Sequence, residues 1–140
     1  MTVILIIGLV LAIFIGIGIW MVDKSEKDAI RKRFAVRDPI SIDEFLDMLD
    51  LDVGRDFVIN ALKDLSGIFY VQKELILPTD RFDIEFAPPK GSELDSAIST
   101  LQFEVAYEAN KRGIDIKSLN IKTVRDYIAL KTMPYRQTDN

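Results

Sequence analysis

Neither cysteine nor histidine occurs in the 140 residues. Their absence removes thiol nucleophiles, disulfides, the common zinc sites and histidine-based triads. Carboxylates and lysines can support catalysis unaided, but no constellation of them stands out, and the chain is read as a non-enzyme. Charge is missing from one long stretch: Val3 to Val22 holds no ionisable side chain. Internal repeats and low-complexity tracts are also lacking. The length suits one domain plus an appendage.

The uncharged stretch is rich in Ile, Leu, Val and Gly and apolar on every face of a helix. About 20 such residues, rising 1.5 Å each, cross a hydrocarbon core of roughly 30 Å. A cleaved signal peptide would have a basic start, a shorter apolar core and a small-x-small site. No charged side chain precedes this stretch, and Trp20-Met21-Val22 is a poor cleavage site, so an uncleaved anchor over residues 1–22 is expected. Residues 1–37 carry six basic and three acidic side chains, net +3, whereas residues 38–140 carry twelve against nineteen, net −7. The basic collar includes Lys24, Lys27, Arg31, Lys32 and Arg33. By the positive-inside rule it keeps the C-terminal side in the cytoplasm, which predicts a single-pass protein of the inner (cytoplasmic) membrane. Trp20 falls where an interfacial aromatic belongs, and the collar suits anionic headgroups of the bilayer. The acidic body argues against nucleic acid as a partner. Gly8, Ala12 and Gly16 form a small-xxx-small stripe through which a second copy could approach, although small residues are common in membrane spans anyway.

Beyond the anchor, residues 23–40 read as a basic juxtamembrane helix or linker that Pro39 stops. Ser41-Ile-Asp-Glu44 is a capping box opening a short accessory helix, Ile42 to about Leu49, within residues 41–53. A second helix is expected from about Arg55 to Leu65, with Val58, Ala61, Leu62 and Leu65 on one face and Ser66-Gly67 as its stop. Ile68 to Val71 reads as a short apolar segment. Phe82, Ile84 and Phe86 then alternate with acids. Asp80, Asp83 and Glu85 lack the calcium-loop spacing, so a solvated face competes with a cation site there. A third helix should span Glu93 to Lys111, burying Leu94, Ile98, Leu101 and Val105. Arg112-Gly113 ends it, and a last helix runs from about Ile121 to Lys131. Residues 132–140 read as a frayed tail.

Ser96 follows Asp95 at the head of the third helix and shares a stripe with Thr100, Phe103 and Tyr107. A helix ending in Ser-Gly-Ile-Phe-Tyr-Val, the segment Leu77–Phe86, Leu-Asp-Ser before a long helix, and Ile-Lys-Thr-Val-Arg-Asp-Tyr-Ile follow in that order. This order over residues 54–131 resembles the acyl carrier protein family. The resemblance implies a small all-α bundle over residues 54–131, so that with the apolar run the expected fold is all-α, an N-terminal single transmembrane helix followed by a small acyl-carrier-like helical bundle. It further implies that Ser96, next to Asp95, carries 4′-phosphopantetheine, whose own thiol would hold acyl groups. Phe103 and Tyr107 would then dock partner enzymes.

Leu94 stands where the family usually has Gly, and Ala97 where a large aliphatic follows the serine. Sliding the register by one residue puts Ala97 in the serine position, and Ser92 could cap the helix with Asp95 at its third position. Two functions of different class stay open. One is a membrane-tethered carrier serving a membrane-associated partner such as an acyltransferase. The other is an unmodified carrier-fold module that docks or assembles a membrane complex.

Overall fold

In the computed structural model, backbone is described for residues 2–90 and 96–135, and side chains for the same residues except 2–11, 19, 22, 23 and 96. The protein is all-helical, with α1 (Thr2–Phe34), α2 (Ile42–Leu49), α3 (Arg55–Phe69), α4 (Ser96–Arg112) and α5 (Val124–Thr132). Single 3₁₀ turns sit at Lys73–Leu75 and Ile116–Ser118.

α1 runs unbroken from the uncharged stretch into the basic collar, because nothing between Asp23 and Phe34 breaks a helix. Its two ends have different surroundings. Ile13, Phe14, Ile15, Ile17, Trp20 and Met21 are exposed, whereas Glu26, Ile30 and Phe34 are buried. The buried trio lies four residues apart, on one face. Among the described residues, no helix is long and apolar enough to cross a membrane.

The Ser41–Glu44 capping box forms as expected, and α2 ends in a left-handed Asp50. Arg125 donates from α5 to the Leu49 carbonyl at 3.0 Å, placing a cation where the end of α2 leaves acceptors unpaired. α3 continues through Ser66-Gly67, so the expected stop there is corrected. Phe69 completes the buried face of Val58, Leu62 and Leu65, and its burial outweighs the roughly 1 kcal/mol a helical glycine costs. The helix ends instead at Tyr70, which takes φ 57°.

One continuous core joins α1 through Ile30 and Phe34, α2 through Phe45 and Leu49, and α3, α4 and α5. The end of α1, within residues 23–40, and the accessory helix α2 therefore share one core with residues 54–131. Its centre is aromatic: Phe86 lies 4.9 Å from Phe34, 4.5 Å from Phe69 and 5.5 Å from Phe82, ring centre to ring centre. Ile84 is exposed while Phe82 and Phe86 are buried, because residues 81–86 form a tight turn rather than an alternating strand. That turn is pinned to the start of α5. Val124 and Arg125 donate to the carbonyls of Asp80 and Pro78, which occupies N–H groups that the first turn of a helix leaves unpaired. α5 begins later than Ile121 because Thr123 and Asp126 build a second capping box.

Candidate functional site

α4 carries three of the expected site residues, Ser96, Phe103 and Tyr107. Its buried stripe is Ala97, Leu101, Val105 and Ala109, four residues apart. The expected stripe is thus rotated slightly: Ile98 is only partly buried, and Leu94 lies outside the described residues. Small alanines at both ends let the helix seat closely against the core. On the outer side Thr100 is exposed, Phe103 is 81% exposed and Tyr107 is 54% exposed. Lys111 covers one face of the Tyr107 ring at 4.5 Å, leaving Phe103 the bare apolar element of the stripe. Asp95 and the Ser96 side chain lie outside the described residues, although Ser96 is the first residue of α4. Beside α4, an apolar groove of about 430 Å³ runs between Ile98, Leu101 and Val105 on one wall and Ile116, Leu119 and Ile121 on the other.

Behind the outer stripe α4 is held by charged groups that the sequence reading did not single out. Arg112 pairs with Glu108 in the buried interior and donates to the carbonyls of Lys131 at 2.6 Å and Met133 at 2.8 Å. The Lys131 ammonium reaches Asp64 at 2.7 Å, Glu104 at 3.1 Å and the Tyr127 hydroxyl at 3.1 Å, joining α3, α4 and α5. Burial pushes the Tyr127 phenol up to about 12, with Lys131 pulling the other way. Burial pulls Lys131 down, yet its bonds to Asp64, Tyr127 and Glu104 carry it above the usual lysine range. The Glu108–Arg112 spacing, four apart on a helix, was the signal available in the sequence.

The collar residues divide by task. Lys24 stands over the Trp20 ring at 5.1 Å, Lys27 over the Tyr70 ring at 4.1 Å, and Arg31 lies 3.9 Å from Asp28. Lys32 is exposed. Arg33 turns to the domain and donates to the carbonyls of Ile84, Glu85 and Ala87. Of the small-residue stripe, Ala12 is exposed, Gly16 has open space around it, and the side of Gly8 lies outside the described residues.

The acids of the 80–85 turn are not one solvated face. Asp80 is buried and accepts two bonds from Arg37, at 2.7 and 2.8 Å, plus one from the Leu77 N–H. Asp83 is exposed and pairs with Arg81, and Glu85 accepts from the Arg81 N–H. The Arg81 hydrogen bond holds the Asp83 carboxyl below its ordinary value. Among the described residues no cluster of three or more acids could hold a metal ion.

The chain matches no protein-family model, no curated protein and no solved structure.

Proposed function

We propose that this chain is a membrane-tethered, acyl-carrier-like module that presents the outer face of α4 to a membrane-associated protein partner. The observation that carries this reading is the exposure of Phe103, with Thr100 and Tyr107 on its stripe, opposite a stripe that is buried throughout. A large exposed aromatic flanked by polar residues is the usual make-up of an interface anchor. The tether rests on the charge-free run Val3–Val22, on the uncovered apolar side chains between Ile13 and Met21, and on the basic collar that follows.

Ser96 heads α4 after the long connection from Tyr70, the position that the modified serine takes in acyl carriers. Its stripe faces solvent at Thr100 and Phe103, which fits a prosthetic arm attached at its head. Bound there, 4′-phosphopantetheine would supply the thiol that the chain lacks. Ser96 would hold it and Phe103 would dock the enzyme that loads it. Intact-mass analysis of the protein from its native host is expected to show a phosphopantetheine adduct that Ser96→Ala abolishes. A bare chain in a host with a matching transferase leaves the second reading, an unmodified docking module. For either one, Phe103→Ala should weaken partner capture without moving the unfolding midpoint. An unfolded Phe103→Ala domain would mean that the ring is structural and would sink both. Protease added to sealed inside-out vesicles should digest the domain; full protection refutes the orientation.

A further inference from the structure

Ser99, Gln102 and Ala106 form a line along α4 that carries no charge; the first two are exposed and the third is half-buried. At about 100° per residue, Phe103 stands on one flank of this line and Ile98 and Val105 stand on the other. Phe103 is a bare aromatic knob. Ile98 and Val105 wall the apolar groove that Ile116, Leu119 and Ile121 complete. Knob and groove thus border a single uncharged seam. We infer that the partner taken by this face is a second copy of this chain, with the two α4 helices parallel and Phe103 of each copy in the groove of the other. The inference rests on the docking reading above and names its partner, since a tethered copy is itself a membrane-associated protein.

Two parallel helices packed about a two-fold axis bring unlike flanks together, the e side of one against the g side of the other. With Ser99 and Ala106 at a and Gln102 at d, Phe103 falls at e, and Ile98 and Val105 fall at g. The knob of each copy then meets the groove of the other at nearly the same height. Antiparallel helices would set knob against knob and leave both grooves empty. Charge favours the same face. Residues 38–140 carry twelve basic and nineteen acidic side chains, net −7, so two copies repel wherever their carboxylates meet. The seam holds none, and neither do Phe103 and Asn110 on the knob flank. The exposed charges next to the far wall of the groove are Asp115, Lys117 and Lys122, net +1. One helix face buries less than the roughly 1,200–2,000 Å² of a standard interface, so the contact is of the transient kind. Confinement of both copies to one bilayer supplies the local concentration that such a contact needs.

The chain has no cysteine, so single thiols placed in the full chain, reconstituted in liposomes, report the contact without background. Ser99→Cys and Ala106→Cys lie about two turns apart on the seam, and each should form a disulfide-linked dimer under mild oxidation. Asn60→Cys, exposed on α3, is the collision control and should link about tenfold more slowly. An equal rate at Asn60→Cys would reduce the contact to random encounter. Linking at only one of the two seam positions would mean that the helices do not run parallel. Either result overturns the inference. Phe103→Ala added to Ala106→Cys should slow its linking about tenfold. Ile116→Asp, in the exposed part of the far wall, should slow it similarly and leave the thermal melt unchanged. Unchanged linking in both variants would remove knob and groove from the contact and sink the proposal. The docking reading is scored apart. If Ala106→Cys does not link while Phe103→Ala still weakens capture of another host protein, the second copy has failed and the docking face stands. If Phe103→Ala changes neither, both have failed.

Discussion

The stretch of α1 from Ile13 to Met21 and its last third belong to one helix yet stand in opposite relations to the rest of the protein. Ile13, Phe14, Ile15, Ile17, Trp20 and Met21 are uncovered. From Glu26 onward one face is buried and joins the aromatic core, with Phe34 in contact with Phe86. Helicity alone does not distinguish them; the pattern of polar positions does. Where Ile30 and Phe34 recur four apart among charged residues, that side is sealed by protein and takes Glu26 in with it. Where none occurs, only another apolar medium can cover the surface.

The sharpest way to break this comparison is to truncate one aromatic in each half. Phe34→Ala should cost about 3–5 kcal/mol in denaturant unfolding of the detergent-solubilised chain, since it hollows the centre of the core. Phe14→Ala, in a residue 70% exposed, should leave the same midpoint where it was. Equal effects would mean that the apolar half packs on the domain. Next in size is a proline between the halves. Ser25→Pro should cost about 3 kcal/mol in helix stability and bend α1. Spin labels at Phe14 and Lys32, about 27 Å apart along a straight helix, should report a shorter and broader distance distribution.

Within the collar, Arg33→Ala should cost about 1–2 kcal/mol of domain stability by releasing the 84–87 carbonyls. Lys24→Ala should leave domain stability alone and affect only attachment to anionic vesicles, read by flotation. A pH titration separates the halves again, because Val3–Val22 has nothing to titrate. Tyr127 and Lys131 have folded values raised above their unfolded ones. Their contribution is complete below about pH 10 and is lost as pH rises through the folded values, so the melting temperature of the domain should fall above about pH 10. The smallest effect is a gain. Gly67 is helical with open space where a methyl would go, so Gly67→Ala should stabilise the domain by about 0.5–1 kcal/mol. Gly16→Ala, equally open, should not move the midpoint, and a change in self-association would reveal a role for the small-residue stripe.

Local signals in the sequence were read better than distant ones, although the Thr123–Asp126 box that starts α5, itself local, was missed. The Ser41–Glu44 box, the arrest of α1 before Pro39 and the turn at Gly113 depend on a few adjacent residues, and all three are present. The end of α3 was misplaced because Gly67 was weighed against its neighbours rather than against the burial of Phe69. Asp80 looked like one acid among several; its partner Arg37 is 43 residues away and no local pattern announces it. Arg33 belonged by composition to a lipid-facing collar, yet it holds a turn about 50 residues further on. The outer stripe of α4 was legible because 100° per residue fixes which side Thr100, Phe103 and Tyr107 share once the buried side is known.

The absence of any flexible joint between the apolar run and the core gives the domain a compass bearing. Each residue of α1 advances the chain by about 100° of azimuth. The direction in which Phe103 points around the axis of α1 is therefore phased to the side of α1 on which Ala12 and Gly16 lie. One residue deleted between Val22 and Glu26 would swing the whole domain by more than a quarter of a circle while lowering it by only about 1.5 Å. A partner that grips both the apolar helix and α4 reads that angle as well as either surface.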